Sequence, residues 1–80
     1  MFEKRYTRRA TKELAKIPEP DRSRIRRAVE KLPDGDIKKL QDEPGYRLRV
    51  GNWRIIYEIQ HNQLIIEVVR VGPRGGIYKH

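Results

Sequence analysis

Residues 46–59 read YRLRVGNWRIIYEI, and their pattern is the clearest indication of structure in the chain. Its first five residues alternate apolar side chains with arginine, as in a strand that buries one face. Gly51-Asn52 is a turn pair of the kind that closes two-residue hairpins. From Trp53 to Ile59 the alternation resumes. The stretch therefore predicts an antiparallel hairpin with one apolar face.

Strands are also indicated on both sides of this hairpin. Residues 64–71 (LIIEVVRV) are nearly all apolar, as expected of a central strand that is buried on both faces. His61-Asn62 predicts a second tight turn between this strand and the hairpin. At the start of the chain, residues 2–6 (FEKRY) form a short strand-like segment with an aromatic side chain at each end. The sheet is therefore expected to contain four strands.

Two amphipathic helices precede the hairpin. Thr7 is a suitable N-cap for the first helix, because its hydroxyl accepts an N–H of the first turn, and Pro18 ends that helix. The second helix begins near residues 20–21 (PD) and ends before the turn at residues 33–35 (PDG). Their apolar stripes consist of Ala10, Leu14 and Ile17 in the first helix and Ile25, Ala28, Val29 and Leu32 in the second. The two helices are therefore predicted to form an αα-hairpin.

The order of these elements, β-α-α-β-β-β, decides the fold class. It predicts an α+β protein in which an antiparallel meander sheet carries the helical hairpin packed on one face. The sequence shows no repeat and no linker. At this length we expect one domain over residues 1–80.

Composition narrows the range of functions. Nineteen Lys and Arg against eleven Asp and Glu leave a net charge of +8, which favours nucleic acid or an acidic protein as partner. The chain has no cysteine and two histidines, so we expect no disulfide, no metal site and no cofactor. No apolar run approaches the ~20 residues of a membrane helix, and the N-terminus lacks the apolar stretch of a signal peptide. We therefore expect a cytoplasmic protein with no membrane partner.

Arginines collect on the polar side of the predicted sheet. If the apolar residues of the hairpin face the helices, Arg47, Arg49 and Arg54 face the other way. Arg74 follows the last strand and Tyr78 comes four residues later, so both are candidates for the same face. Arginine on a solvated strand often serves solubility alone. Like charges at cross-strand positions repel, however, and an anion such as RNA phosphate relieves that repulsion. Both interpretations stay open at this point.

Three segments carry a family resemblance: GYRLRVGNWRIIYEI (45–59), IIEVVRVGPRGGIY (65–78) and FEKRYTRRATKELAKIP (2–18). They resemble the RelE/ParE superfamily of toxins from type II toxin–antitoxin systems and together span nearly the whole chain. RelE-type members are endoribonucleases that cut messenger RNA in the ribosomal A site, whereas ParE-type members share the fold and inhibit DNA gyrase. The resemblance favours the RelE branch. It therefore implies a ribosome-dependent mRNA endoribonuclease that inhibits translation.

The resemblance also implies which residues carry the reaction. They are Arg47, Arg49, Arg54, Arg74 and Tyr78. In the implied reaction the ribose 2′-OH attacks the adjacent phosphodiester without a metal, with Tyr78 as the base and arginines stabilising the phosphorane. The best-known RelE pattern has lysine at the first two positions. Arginine keeps the charge but does not release its proton, so Arg47 and Arg49 are left with electrostatic roles.

Further contacts are expected outside this set. His80 is an additional candidate acid or base. The basic face of the second helix is either a solvated surface or a contact for ribosomal RNA, and its candidate residues are Arg22, Arg26, Arg27 and Lys31. The superfamily also implies an antitoxin, which the charge of this chain predicts to be acidic. Two alternatives to the nuclease stay open: a ParE-like gyrase inhibitor without RNA chemistry, and an inactive RNA-binding module.

Overall fold

The computed structural model describes residues 1–73, which form two helices and five strands. The strands are β1 (Glu3–Tyr6), β2 (Ile37–Lys39), β3 (Tyr46–Val50), β4 (Trp53–Gln60) and β5 (Ile65–Pro73). The helices are α1 (Arg8–Ala15) and α2 (Asp21–Glu30), and both lie between β1 and β2 in the chain. The helices and the β3–β4 hairpin therefore lie where the sequence predicts them.

The five strands form one mixed sheet in the order β1-β5-β4-β3-β2. β5 lies inside the sheet, as its apolar sequence predicts, with β4 antiparallel on one side and β1 parallel on the other. The α+β class is thus confirmed, and the expectation of a purely antiparallel sheet is corrected at β1. Periodicity shows which face of a strand is buried, but it contains no information on the strand's neighbour or its direction.

The edge strand β2 is an element that the sequence pattern did not indicate. It is three residues long and pairs antiparallel with β3, so that Ile37 lies opposite Leu48. Ile37 is its one apolar residue and packs against the core. A single apolar position defines no period, so the sequence pattern does not indicate a strand here.

The two hairpin turns differ in how well the sequence predicted them. Val50 pairs directly with Trp53, and Gly51 has a φ of 59°, as the first central residue of a primed two-residue turn requires. The β4–β5 connection is longer than the expected two residues. Gln60 pairs with Ile65, so the loop comprises the four residues 61–64. The expected tight turn at His61-Asn62 is therefore corrected to a four-residue loop.

Both helices bury their apolar stripes against the same face of the sheet. The core consists of Ala10, Leu14, Ile17, Ile25, Val29 and Leu32 from the helical region and Leu48, Ile55, Tyr57, Ile66, Val68 and Val71 from the strands. Thr7 caps α1 as predicted, because its Oγ1 accepts the Ala10 N–H at 3.0 Å. Neither helix of the described region is long and apolar enough to cross a membrane. The opposite side of the sheet, here called the distal face, is left for the polar residues that alternate with the core.

Candidate functional site

Three arginines lie together on the distal face, at the hairpin end of β3 and β4. Arg49 and Arg54 are directly paired across the hairpin, and Arg47 lies two residues before Arg49 on the same strand. Their neighbours Leu48 and Ile55 belong to the core on the other face. We call Arg47, Arg49 and Arg54 the arginine cluster. The alternation along β3 and β4, rather than the conformation of a loop, directs these three side chains to the distal face.

A lysine on the edge strand β2 extends this basic region. Lys38 of β2 pairs with Arg47, and Ile56 of β4 lies on the other side of Arg47. Lys38 and Arg47 also line a cleft of about 340 Å³ together with residues 39–43. Residues 39–43 include two acidic side chains, so the cleft is of mixed charge, and the case for binding a phosphate rests on the arginine cluster itself.

Arg47 and Arg49 share one carboxylate, whereas Arg54 is held by backbone carbonyls. The Arg49 Nε donates to Asp36 Oδ2 at 2.8 Å, and the Arg47 Nη2 lies 3.6 Å from Asp36 Oδ1. The Arg54 Nη1 donates to the carbonyl oxygens of Gly51 and Trp53 at 3.3 and 3.2 Å. Arginine carries five N–H donors, so these contacts leave several donors on each side chain for a ligand.

The side chains of Arg47 and Arg49 differ in burial. The Arg47 side chain is 18% exposed, whereas that of Arg49 is 52% exposed. The Arg47 Nε is buried and has no hydrogen-bond partner within residues 1–73. A guanidinium stays protonated at every physiological pH, so the cluster presents permanent positive charge. It is suited to hold phosphate and to stabilise added negative charge, and not to accept a proton.

Asp36 is the site residue that sequence reasoning missed. It directly precedes β2, and its carbonyl oxygen accepts the Arg49 N–H at 2.9 Å. Gly35 brings the chain to this position, since a Cβ there would lie 2.9 Å from Leu48 Cδ1. The pattern Asp36-Ile37-Lys38, polar on both sides of one apolar residue, was the available signal, but it is too short to establish a strand.

Arg70 is a fourth arginine near the end of β5, and it is engaged elsewhere. It pairs with Ile56 in the sheet register, but its Nε lies 3.0 Å from Glu13 Oε2 on α1. The other oxygen of Glu13 accepts the Val71 N–H at 2.8 Å. Glu13 therefore attaches the end of β5 to α1 at Val71. Arg70 is bound to the same carboxylate and is not part of the arginine cluster.

The remaining predicted site residues lie in two other places. Arg74, Tyr78 and His80 are outside the described residues. On α2, Arg22 lies 3.3 Å from Glu19 in an ion pair, whereas the other predicted contacts are exposed; these are Arg26, Arg27 and Lys31. α2 packs on the face of the sheet opposite to the arginine cluster. The two basic surfaces are therefore separated by the sheet.

The aromatic residues of the hairpin have structural contacts. Tyr57 is buried in the core and stacks on Tyr46 with ring centroids 5.5 Å apart. Burial, and then the neighbouring Tyr46, raises the pKa of Tyr57 to about 12. The Trp53 indole donates to Asp21 Oδ2 at 2.9 Å and so ties the hairpin to α2. Tyr57 is thus a neutral core residue and no candidate for a base.

A family comparison decides the identity of this fold. The family model of the ParE toxin of the type II toxin–antitoxin system parDE matches residues 5–78. The chain belongs to this toxin family. The RelE/ParE resemblance of the sequence is thereby confirmed, whereas no curated protein matches the chain.

Solved structures show that the toxin is RelE-like in structure. A chain of the RelB–RelE antitoxin–toxin complex from Methanococcus jannaschii is 30% identical, with a TM-score of 0.74 over 92% of this chain and 94% of that chain. A chain of the RelBE2 complex from Mycobacterium tuberculosis is 25% identical, with a TM-score of 0.77 over 91% and 98%. The intact RelBE complex from E. coli is similar in fold at 24% identity, with a TM-score of 0.76 over 91% and 96%.

Proposed function

We propose that this toxin is an endoribonuclease that cuts messenger RNA in the ribosomal A site and so inhibits translation. The observation that carries the proposal is the arginine cluster: Arg49 faces Arg54 directly, and Arg47 lies beside them. Such a concentration of like charge opposes folding of the hairpin and is useful where an anion binds. The RelE-like fold adds weight, since the superfamily resemblance implies RNA cleavage for that branch.

In the proposed reaction the ribose 2′-oxygen attacks the adjacent phosphorus. The O2′–P bond forms and the P–O5′ bond breaks, which leaves a 2′,3′-cyclic phosphate and a 5′-OH. The family resemblance assigns Tyr78 to take the proton of the 2′-OH, and a guanidinium placed close to a tyrosine favours the phenolate form that this role needs. The departing 5′-oxygen receives a proton, for which His80 is a candidate donor. No metal takes part in these steps.

The arginines have electrostatic roles in this reaction. Arg54 and Arg74 stabilise the dianionic phosphorane, and Arg74 also interacts with the leaving oxygen. Arg47 and Arg49 hold the phosphate, because a guanidinium binds two phosphate oxygens at once. Removal of one such donor from a transition state costs about 10²–10³ in rate, so each of these positions has a measurable effect.

Two partners follow from the same proposal. The exposed basic residues of α2 contact ribosomal RNA, which adds salt-dependent affinity without sequence preference. A cognate antitoxin binds the toxin, since the fold is similar to that of toxins solved in RelB–RelE complexes. With a net charge of +8 on the toxin, the antitoxin is expected to be acidic.

Primer extension on a message that is being translated in vitro tests the nuclease. Wild type is compared with Arg54→Ala, Arg74→Ala and Tyr78→Phe, and a reaction without ribosomes serves as control. We expect cuts within codons that require ribosomes and disappear in all three variants. Arg26→Ala, on α2, is expected to weaken ribosome binding slightly and to spare the chemical step. Equal losses of binding in Arg26→Ala and Arg74→Ala would remove the case for Arg74 in catalysis.

A second candidate function is inhibition of DNA gyrase. It is favoured by one observation, that the matching family model describes ParE toxins. A gyrase inhibitor needs no RNA chemistry, so it stays toxic when Arg54, Arg74 and Tyr78 are replaced. This function would be supported if the toxin left the message intact in primer extension and inhibited DNA supercoiling by purified gyrase. Salt-dependent RNA binding without either activity would indicate an inactive RNA-binding module.

A further inference from the structure

Asp36 lies between two arginines of the cluster. One oxygen of its carboxylate accepts the Arg49 Nε–H at 2.8 Å, and the other lies 3.6 Å from the Arg47 Nη2. The main chain holds the same residue in place, because its carbonyl oxygen accepts the Arg49 N–H at 2.9 Å. Asp36 is therefore attached to β3 through both its backbone and its side chain.

The way in which Asp36 contacts Arg49 leaves room for a ligand. The carboxylate uses the Nε of Arg49, so the edge formed by the two terminal Nη groups stays available. That edge carries parallel N–H donors, the geometry with which arginine grips a phosphate. A carboxylate that blocked phosphate binding would occupy this edge. The observed contact holds the Arg49 guanidinium through its Nε and leaves the two Nη groups for the ligand.

Without such support the cluster is poorly ordered for binding. Arg49 directly faces Arg54, and Lys38 directly faces Arg47, so repulsion drives these side chains apart. An arginine side chain also carries about 2 kcal/mol of rotamer entropy, which is lost when it binds a ligand in one orientation. A negative charge between Arg47 and Arg49 reduces both costs before RNA arrives.

We propose that Asp36 is a positioning residue that holds Arg49, and with it Arg47, in the orientation that receives an RNA phosphate. This inference rests on the nuclease function proposed above. Asp36 itself touches no reacting atom, and its side chain is 49% exposed. An ion pair this exposed contributes little to stability, so Asp36→Ala is expected to fold like wild type.

Asp34 provides a matched control in the same segment. It is exposed, two residues before Asp36, and its N–H is bonded to the Lys31 carbonyl oxygen, with no side-chain contact to the cluster. Asp34→Ala and Asp36→Ala raise the net charge by the same amount. Any difference between them therefore reports the position of the carboxylate and not its long-range field.

The cleavage rate is measured against ribosome concentration on translated message. We expect Asp36→Ala to lower the maximal rate about 10-fold, because misplaced groups stabilise the transition state poorly, with an unchanged half-saturating ribosome concentration. Asp34→Ala is expected to match wild type in both quantities. Asp36→Asn should recover part of the rate, since its amide oxygen still accepts the Arg49 Nε–H although the negative charge is lost. A rate for Asp36→Ala equal to or above that of Asp34→Ala overturns the inference.

A second measurement separates this inference from the nuclease function. Inorganic phosphate is titrated into ¹⁵N-labelled full-length toxin while the Arg49 Nε–H resonance is followed by NMR. We expect weaker phosphate binding and a broadened resonance in Asp36→Ala, but not in Asp34→Ala. If this difference appears while wild type leaves message intact, the nuclease proposal fails and the positioning role stands for phosphate. If both variants bind phosphate equally, the positioning role is wrong whatever the cleavage result.

Discussion

Arg49 and Arg54 are directly paired across the β3–β4 hairpin, on the face of the sheet opposite to the helices. Like charges in this relationship destabilise a hairpin by about 0.2–1 kcal/mol. The toxin therefore carries, at its candidate site, a pair of residues that folding alone does not favour. Function and stability are expected to respond in opposite directions when the pair is broken.

Replacement of Arg54 by glutamine should raise stability and abolish activity. We expect the free energy of unfolding to rise by up to about 1 kcal/mol as the repulsion with Arg49 disappears. Cleavage of translated message should fall by about 10²–10³-fold. Urea denaturation and primer extension measure the two effects, and the gain in stability should shrink at high salt. Arg8→Gln, an exposed position on α1 with the same charge change, is the control for net charge and should leave cleavage unchanged.

Glu13 is expected to be the most sensitive carboxylate of the described region. It accepts the Val71 N–H and pairs with Arg70, and both charged side chains are about one-fifth exposed. Glu13→Ala leaves a backbone donor and a guanidinium without partners, so it should lower the free energy of unfolding by about 1–3 kcal/mol. Glu30→Ala, exposed on α2, should change it by less than about 0.5 kcal/mol. Equal effects in urea denaturation would show that the Glu13 contacts contribute nothing.

Tyr57 should make the toxin lose stability in alkali. Burial raises its pKa from 10.0 to about 12, so the folded state favours the neutral phenol. The contribution of the neutral Tyr57 phenol to the free energy of unfolding is fully present below pH 10 and is lost as the pH rises from about 10 to about 12. Two pKa units correspond to about 2–3 kcal/mol.

Tyr57→Phe lacks this titration and serves as the comparison for it. Tyr6 has a pKa raised in the same direction, mainly by burial, but it is present in both proteins and cancels in the difference. Urea denaturation at pH 8 and pH 11.5 should therefore show the larger loss in wild type. Parallel losses would mean that Tyr57 ionises in the folded state as readily as in the unfolded chain.

Two glycines offer a matched test of backbone strain and close packing. Gly51 has a φ of 59° with nothing within 4 Å of an added Cβ, so Gly51→Ala should cost about 1 kcal/mol. Gly35 has a φ of 136°, and an added Cβ would also meet Leu48 Cδ1 at 2.9 Å. Gly35→Ala should therefore cost about 3 kcal/mol. If thermal or urea denaturation ranks the two variants in the reverse order, the close approach of Gly35 to Leu48 is not tight in solution.

Much of the fold was predictable from local patterns. The alternation in residues 46–59, the turn at Gly51-Asn52 and the helical stripes each depend on neighbours a few residues apart, and each was confirmed. The direction of the arginine cluster followed from the same alternation, because a strand points successive side chains to opposite faces. The family resemblance was also visible, since its motifs lie within continuous segments.

The arrangement of distant segments was decided only by the tertiary structure. The parallel partner of β1 is β5, some 60 residues later, and no periodicity in either strand specifies that pairing. The Asp36 carboxylate meets Arg49 because β2 lies against β3, and a three-residue strand with one apolar position gives no pattern of its own. Glu13 likewise meets Val71 across 58 positions of sequence. Local sequence determines which face a residue occupies, whereas packing and register determine which charge lies opposite it.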